Sequence, residues 1–351
     1  MSKNLDGMNE LNLGIVGAGN ISQTHLKAAL EVPGARVTAV WGQNPAKAEA
    51  LARRVGAKFC RSYDELLDSG VHVVLIGSPS GLHAEQGIAA ARRGIHVLTE
   101  KPLDITVERA DALVRACEAA GVRLGVFFQS RVAPDVVKLK QLLDRHNLGR
   151  VFLVSAQVKW YRPPDYYRNS KWRGTWALDG GGAVMNQGIH TVDLVQWLVG
   201  KVVAVEARTA TLLHDIETED TAVALFEFEN GALGAFEATT AAYPGFPRRV
   251  VISGAAGTAV LENDRLLSLH RLGESADLLC DESDGESNPT QSSPVIAEIS
   301  GHRRILEDFL RAIRENREPI CSGKQGRESV AIVEALYESA RTRRPAKPRS
   351  W

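Results

Sequence analysis

The stretch that decides the fold is LNLGIVGAGNISQTHLKAAL, residues 11–30. An apolar run ends in Gly17-Ala-Gly19-Asn-Ile-Ser22 and continues into a segment with helical spacing of its apolar residues. In such a strand–turn–helix unit the first glycine permits a tight turn, and the second lets the backbone approach a pyrophosphate at the helix N-terminus. Serine stands where a third glycine or alanine is usual. The context predicts dinucleotide binding, and the alternative is a plain glycine turn in a parallel sheet.

The same alternation of strand and helix patterns continues to about residue 130. Further apolar runs at 35–42, 71–79, 96–102 and 123–130 are separated by helical patterns. The run at 71–79 is continuous, as expected for a parallel strand buried on both faces. Repeated units of this length predict a parallel, doubly wound sheet.

The end of the second strand bears on the choice between NAD and NADP. It reads Trp41-Gly42-Gln43-Asn44, and the nearest cation is Lys47. A carboxylate here would bond the ribose diol, and a basic residue would hold a 2′-phosphate. Because no carboxylate repels that phosphate, we expect either cofactor, with a slight preference for NADP.

The chain changes character after Ser130. Residues 202–270 are rich in β patterns with no helix between them, and Asn230-Gly231 marks a hairpin turn. Two helical patterns follow near the C-terminus. We therefore predict an α/β protein with a dinucleotide-binding domain at 1–129 and a second domain at 130–351, whose sheet is open and mostly antiparallel. The C-terminal helices could pack back on the first domain, and the polar segment 281–294 is expected to be a mobile loop.

Bulk composition excludes several classes of protein. Forty-two basic and 42 acidic residues cancel, so bulk charge gives no reason to expect nucleic acid or an anionic membrane as a partner. No apolar run approaches about 18 residues, and no apolar leader precedes the first strand. The cysteines are far apart, without metal-ligand spacing, so we expect reduced thiols, no metal and a cytoplasmic location. These cysteines are Cys60, Cys117, Cys280 and Cys321.

Glu100-Lys101-Pro102 follows the strand pattern at 96–99. Lysine at the carboxyl end of a parallel strand lies where doubly wound sheets bind ligands, and it can stabilise an alkoxide. The alternative is a surface lysine at a turn.

The stretch GGGAVMNQGIHTVDLVQWLVG, residues 180–200, combines three glycines with an amphipathic run. At helical spacing Asn186, His190, Asp193 and Trp197 share one face, beside an apolar stripe. This face is either catalytic or a set of satisfied polar groups on a core helix.

The segment VKWYRPPDYYRNSKWRGTW, residues 158–176, holds three of the six tryptophans and three of the six tyrosines. Its adjacent prolines, Pro163 and Pro164, predict a loop. Aromatic faces stack on sugars, and arginine binds phosphate or carboxylate in a bidentate manner. The segment predicts binding of an anionic sugar or sugar nucleotide, and the alternative is a packed aromatic loop or an oligomer contact. The substrate contacts predicted here are Lys159, Tyr161 and Arg173.

Four stretches together resemble the Gfo/Idh/MocA family: GIVGAGNISQTHLKAA, GSPSGLHAE, TEKPL and residues 180–200, in that order. The resemblance covers nearly the whole chain. It implies an N-terminal Rossmann domain, a C-terminal α/β domain, and NAD(P)-dependent oxidation or reduction of a hydroxyl on a sugar, nucleotide sugar or cyclitol. It also implies a homodimer or homotetramer formed through the C-terminal sheet.

Residue roles follow from the same resemblance. Lys101 matches the lysine that contacts the reacting hydroxyl, and His190 matches the general acid/base. The family often has aspartate where this chain has Asn186, which cannot take a proton but can hydrogen-bond a substrate hydroxyl. The form MNQGIH resembles members that act on nucleotide sugars such as UDP-N-acetylglucosaminuronate. From their place at the end of the last Rossmann strand, Arg131 and Gln129 are secondary candidates, and Asp193 is expected to support the site or to make a structural contact.

The predicted cofactor contacts are Gly17, Gly19, Asn20, Ile21, Gly42, Ser78, Pro79, His83, Glu100, Lys101 and Gln129. For His83 the alternative is a histidine that packs locally. Two other functions stay open: an NAD-dependent glycoside hydrolase, which uses its cofactor transiently, and a non-catalytic sugar sensor.

Overall fold

A computed structural model describes residues 10–274, 277–278 and 299–351. Among these residues the chain forms two compact units, the first from 10–129 and 299–327 and the second from the remainder. The predicted second domain, 130–351, therefore differs from the second unit, because 299–327 belongs to the first. Cys280 and the predicted loop at 281–294 lie outside the described residues.

The first unit contains a six-stranded parallel sheet, as predicted. Its strand order is β3-β2-β1-β4-β5-β6, so the order reverses between β1 and β4, which is where doubly wound sheets bind ligands. Strands β4 and β5 are buried along their whole length. The strands are β1 (Leu11–Val16), β2 (Ala35–Trp41), β3 (Lys58–Phe59), β4 (Val73–Ile76), β5 (His96–Thr99) and β6 (Leu124–Val126).

Three helices of the first unit, α2, α3 and α5, begin at side-chain caps, and α1 begins after Gly19. Asn44, Ser62 and Thr106 each accept a hydrogen bond from a backbone N–H of the helix that follows. The helices are α1 (Asn20–Leu30), α2 (Pro45–Arg53), α3 (Tyr63–Leu67), α4 (His83–Ala91), α5 (Val107–Ala120) and, from the C-terminal part of the chain, α9 (Ser300–Arg314).

The second unit contains an eight-stranded mixed sheet in the order β14-β13-β12-β11-β7-β10-β9-β8. Among the described strands of this sheet only β7 and β10 pair in parallel, so the prediction of a mostly antiparallel sheet is confirmed. The predicted hairpin at Asn230-Gly231 joins β9 and β10, and Gly231 has φ +82°. The strands are β7 (Val151–Lys159), β8 (Val202–Ala210), β9 (Thr221–Phe228), β10 (Leu233–Thr239), β11 (Arg249–Gly254), β12 (Gly257–Glu262), β13 (Arg265–Arg271) and β14 (Asp277–Leu278).

One face of this sheet is buried, and the other is open in the structure. Alternate residues of β9 are buried and exposed along the strand, which is the period of a sheet covered on one side. The remaining helices are α6 (Pro134–Asp144), α7 (Pro164–Arg168), α8 (Ile189–Val199) and α10 (Gly323–Thr342). A π-helical turn, Ala183–Gly188, leads into α8.

The prediction that Pro163-Pro164 excludes a helix was wrong at Pro164. That residue begins α7, because the first turn of a helix tolerates a residue without an N–H. Within the described residues, no helix combines the length and the apolar character needed to cross a bilayer.

Candidate functional site

The glycine turn after β1 has no room for larger residues. Gly17 has φ +112°, and a Cβ there would lie 2.7 Å from the carbonyl oxygen of Gly77 and 2.9 Å from Ser22 Oγ. Ser22 is buried at the position of the usual third glycine, and its hydroxyl also packs against Gly77. The turn after β1 and the turn after β4 are thus packed together at the point where the strand order reverses.

Gly19 is the N-cap of α1 and leaves open space in front of the helix. No side chain caps this end, the first turn has no acidic residue, and a Cβ on Gly19 would meet nothing within 4 Å. Unpaired amides and the positive end of the helix dipole fit a phosphate anion. Asn20 and Ile21 begin the helix, and a Cβ on Gly42 would lie 3.0 Å from Ala18 Cβ. The predicted residues of the phosphate turn therefore lie together.

The end of β2 presents neutral groups. Asn44 Oδ1 accepts from the backbone N–H of Lys47 at 3.1 Å, which caps α2. Trp41 packs against Tyr63 with ring centroids 5.2 Å apart. Neither a carboxylate nor a guanidinium belongs to residues 41–44, so charge at this strand end favours neither cofactor.

His83 connects two loops at the carboxyl edge of the sheet. One ring nitrogen lies 2.8 Å from the carbonyl oxygen of Pro102, and the other lies 3.0 Å from that of Ser78. Ser78 Oγ in turn donates to Gln86 Oε1 at 2.7 Å. The ring of His83 is 1% exposed, so its position fits the local packing role, with Ser78 and Pro79 held beside it.

Glu100 lies at the centre of a buried triad with His25 and His302. The Nε2 atoms of the two histidines lie 2.9 and 3.2 Å from Glu100 Oε1. Burial opposes ionisation of Glu100, but the two imidazole donors outweigh it and hold its pKa well below the usual value. Burial lowers the pKa of His25, so this ring is a neutral donor. Their ligand atoms lie within 4.8 Å of one another, close enough to hold a metal ion, yet hydrogen bonds already account for the contacts with Glu100.

Lys101 and Gln129 follow the neighbouring strands β5 and β6. The side chain of Lys101 is partly exposed at the carboxyl edge of the sheet. Gln129 packs against Gly301, and among the described residues its buried Oε1 has no donor. A buried acceptor oxygen without a protein donor fits an N–H of a bound ligand.

In the second unit, Asn186 lies in a hydrogen-bonded cluster with Asp179, Gln187, Tyr166 and Arg162, here named the Asn186 cluster. Asn186 Nδ2 donates to Asp179 Oδ1, and Gln187 Nε2 donates to Asn186 Oδ1 at 2.9 Å. Gln187 also contacts Tyr166 Oη at 3.1 Å and accepts from Arg162 Nη2 at 3.0 Å. Position 186 carries no carboxylate of its own, but the buried carboxylate of Asp179, seven residues earlier in the chain, contacts its side chain.

Two guanidinium groups flank Tyr166. Arg173 lies 4.1 Å from the centre of its ring and Arg162 lies 5.5 Å from it. Burial lowers the pKa of Arg162, although its ordinary value is so high that it stays charged. The cluster therefore combines positive charge, an aromatic face and amide groups, which suits an anionic polar ligand.

Of the predicted substrate contacts, Lys159 lies apart from this cluster, and Tyr161 contacts it through its backbone, whose carbonyl oxygen accepts from Arg162 Nη1 at 3.1 Å. Lys159 Nζ pairs with Glu237 Oε2 at 2.7 Å on the partly exposed sheet, and Tyr161 packs edge-on against Tyr243. Of the three predicted from residues 158–176, Arg173 is the one whose side chain contacts the cluster, at Tyr166. The other members of the cluster were not predicted from the sequence. Their side chains meet through the tertiary fold around α7, and such contacts leave no periodic pattern in the chain. These missed residues are Arg162, Tyr166, Asp179 and Gln187.

The four residues predicted to share one helical face lie in two consecutive elements. Asn186 lies partly exposed in the π-helical turn, and His190 lies partly exposed in the first turn of α8. Asp193 is 1% exposed and pairs with Arg131 at 2.6 and 2.8 Å. Arg131 and Asp193 therefore form a buried ion pair. The guanidinium group of Arg131 also lies 5.7 Å from the centre of the Trp197 ring.

Both units match known protein families. Residues 11–128 match the oxidoreductase family with an NAD-binding Rossmann fold, and residues 136–260 match the GFO/IDH/MocA C-terminal domain. The structure is similar to the WlbA dehydrogenase from Bordetella pertussis in complex with NADH and UDP-GlcNAcA, with 32% identity, a TM-score of 0.86, and coverage of 98% of this chain and 99% of that one.

Sequence relatives include an inositol dehydrogenase and a levoglucosan dehydrogenase. Inositol 2-dehydrogenase from Rhizobium meliloti is 26% identical over 95% of this chain and 98% of its own length. Levoglucosan dehydrogenase from Pseudarthrobacter phenanthrenivorans is 28% identical over 95% of this chain and 97% of its own length.

The fold, the glycine turn after β1 and the matches to known proteins together identify the chain as an oxidoreductase with an NAD-binding Rossmann domain. The chain belongs to the Gfo/Idh/MocA family.

Proposed function

We propose that this protein is an NAD-dependent dehydrogenase that oxidises a secondary hydroxyl of an anionic sugar, a nucleotide sugar above all. The observation that carries the substrate class is the pair of guanidinium groups at Tyr166, next to the amides of the Asn186 cluster. The structural relative that binds UDP-GlcNAcA supports it. A neutral cyclitol would leave both arginine charges without a counter-charge from the substrate.

The proposed roles divide between binding and proton transfer. Gly17, Gly19 and the N-terminus of α1 hold the pyrophosphate, and bound NAD supplies a hydride acceptor. Lys101 stabilises the developing alkoxide, and His190 accepts the hydroxyl proton, which is worth about 10²–10⁴-fold in rate. Asn186 orients the substrate by a hydrogen bond.

We propose NAD rather than NADP as the cofactor. The strand end at residues 41–44 carries no arginine for a 2′-phosphate. The structural relative contains NADH, and this outweighs the slight preference for NADP that the missing carboxylate suggested.

We propose a cytoplasmic homodimer that pairs the open faces of two C-terminal sheets. Leu153, Leu233 and Leu225 are 46–58% exposed on this face, on the adjacent strands β7, β10 and β9. The ion pair Lys159–Glu237 lies farther along β7 and β10, so the face has an apolar part next to a charged one. Protein interfaces commonly place an apolar core inside a polar rim. A tetramer would need a second contact.

The test combines titration with a substrate panel. NAD(H) and NADP(H) are titrated by calorimetry, and UDP-N-acetylglucosaminuronate, myo-inositol and levoglucosan are then followed at the nicotinamide absorbance. We expect tighter binding of NADH and reduction of NAD by the nucleotide sugar. Sugar cleavage without net reduction would instead indicate the hydrolase, and binding without chemistry would indicate the sensor.

A further inference from the structure

Buried Glu219 and partly buried Tyr337 hold the start of the π-helical turn, and neither has a role in the chemistry proposed above. Glu219, 3% exposed, accepts hydrogen bonds from the backbone N–H of Val184 at 2.8 Å and from that of Gly182 at 3.1 and 3.2 Å. Tyr337 of α10 donates its hydroxyl to Glu219 Oε1 at 2.9 Å and accepts from the N–H of Met185 at 3.2 Å.

The glycines of the segment fit this arrangement. A Cβ on Gly182 would overlap the carbonyl oxygen of Glu219, and a Cβ on Gly181 would overlap the hydroxyl of Tyr337. Gly181 also has φ +157°. Two of the three glycines, Gly181 and Gly182, are therefore explained by close approach of the backbone to these two residues.

The first N–H groups of any helical segment lack partners within the segment. Here Glu219 and Tyr337 together accept from three of them, at Gly182, Val184 and Met185. Burial raises the pKa of Tyr337 well above its usual value, so its hydroxyl keeps its proton at neutral pH. Met185 directly precedes Asn186, so the place of the Asn186 side chain depends on this anchor.

We infer that Glu219 and Tyr337 are positioning residues that fix the π-helical turn and thereby set the place of Asn186 for the reaction. The inference rests on the proposed dehydrogenase function for its effect on turnover, but its structural part stands on the contacts alone.

The test replaces Tyr337 by phenylalanine and uses Ser339→Ala as the matched control. Y337F keeps the ring and its edge-on contact with Trp176 but removes the hydroxyl. Ser339 lies on the same helix, fully buried, and accepts from the N–H of Ala207 at 3.0 Å, away from the glycine run. Both variants lose one buried hydroxyl from α10.

Two readouts separate anchoring from general stability. In hydrogen–deuterium exchange, we expect amides of residues 182–188 to exchange about tenfold faster in Y337F, because a buried donor loses its acceptor. We expect kcat to fall by about tenfold to 10²-fold in Y337F, since a misplacement of about 1 Å costs that much. The Kd for NADH should stay unchanged, and S339A should alter neither readout.

Each result decides the inference. Unchanged exchange at 182–188 in Y337F would overturn the anchor, whatever the activity. Faster exchange with unchanged kcat would overturn its role in positioning. If the wild-type protein reduces no cofactor with any sugar of the panel, the proposed function fails, and the exchange result still decides the anchor.

Discussion

At the scale of single residues, Asn186 stands where the resemblance implies an aspartate, and its hydrogen bonds suit an amide. Its Nδ2 donates to the carboxylate of Asp179, and its Oδ1 accepts from Gln187. An aspartate at 186 would place two carboxylates side by side, and like charges at that distance cannot both stay ionised without cost.

We therefore predict that Asn186→Asp, which restores the common family residue, lowers activity. Loss of the hydrogen bond and the added repulsion are worth about 1–3 kcal/mol, or about tenfold to 10²-fold in kcat/KM. The double variant Asn186→Asp/Asp179→Asn restores one carboxylate and one amide, so it should recover most of the loss. Steady-state kinetics on the three proteins measures this. Full activity in the single variant would show that the contact with Asp179 does not matter.

We expect His96 to make the free energy of unfolding depend on pH. Its Nδ1 accepts from the backbone N–H of Arg123 at 2.8 Å, and burial lowers its pKa from 6.5 to about 4. Because the folded pKa is depressed, this contribution is complete above pH 6.5 and is lost as the pH falls toward 4. Between about pH 7.5 and about pH 5 it amounts to about 2 kcal/mol.

The matched variant is His96→Asn, whose Oδ1 can accept the same hydrogen bond without titrating. We expect urea unfolding to show a smaller loss of stability on acidification in the variant, by about 2 kcal/mol. Other titrating groups, His25 included, cancel in the difference between the two proteins. Equal losses in wild type and variant would mean that His96 titrates normally.

At the scale of elements, local patterns predicted the strands and helices well. The apolar runs of the first unit became buried parallel strands because continuous hydrophobicity and short connections leave few other arrangements. The hairpin at Asn230-Gly231 followed from its turn residues alone. Strand β3 was not predicted because a strand of two residues is too short to show an alternating hydrophobic pattern. Helix α7 was not predicted because Pro164 was taken to interrupt a helix rather than to begin one.

The candidate site was only partly predictable for the same reason. Gly17 and Gly19 lie only two positions apart in the chain, so a motif identifies them. His302 reaches Glu100 from 202 residues away, and Tyr337 reaches Met185 from 152 residues away. Tertiary contacts of this kind leave no local signal. A regular α-helix was also assumed at Asn186, which lies in a π-helical turn instead.

The start of α1 gives an element-scale prediction for Gly19→Ala. A Cβ at this position has open space and an extended φ of −86°, so the fold should tolerate it. The methyl group would stand in the space assigned to the pyrophosphate. We expect an unchanged melting temperature and a Kd for NADH that rises about tenfold or more, since the second glycine allows the close approach. Wild-type affinity in the calorimeter would contradict the assignment of this turn.

At the scale of the whole molecule, the proposed homodimer depends on the open face of the second sheet. Leu233 of β10 lies opposite Leu153 of the parallel strand β7, and both side chains are about half exposed. Leu233→Glu should yield a monomer in sedimentation velocity, because a buried unpaired charge costs several kcal/mol. Leu272→Glu is the control, as that leucine is exposed on the turn after β13. An unchanged dimer in the Leu233 variant would place the interface elsewhere.

We propose that Lys101 and His190 perform the chemistry while other residues bind the cofactor. One measurement tests it most directly: kcat for NAD reduction by the true substrate in Lys101→Ala and His190→Ala, with the Kd for NADH measured on the same proteins. We expect kcat to fall by about 10²–10⁴-fold in His190→Ala and by a similar factor in Lys101→Ala, with the affinity for NADH largely kept. Wild-type kcat in both variants would contradict it.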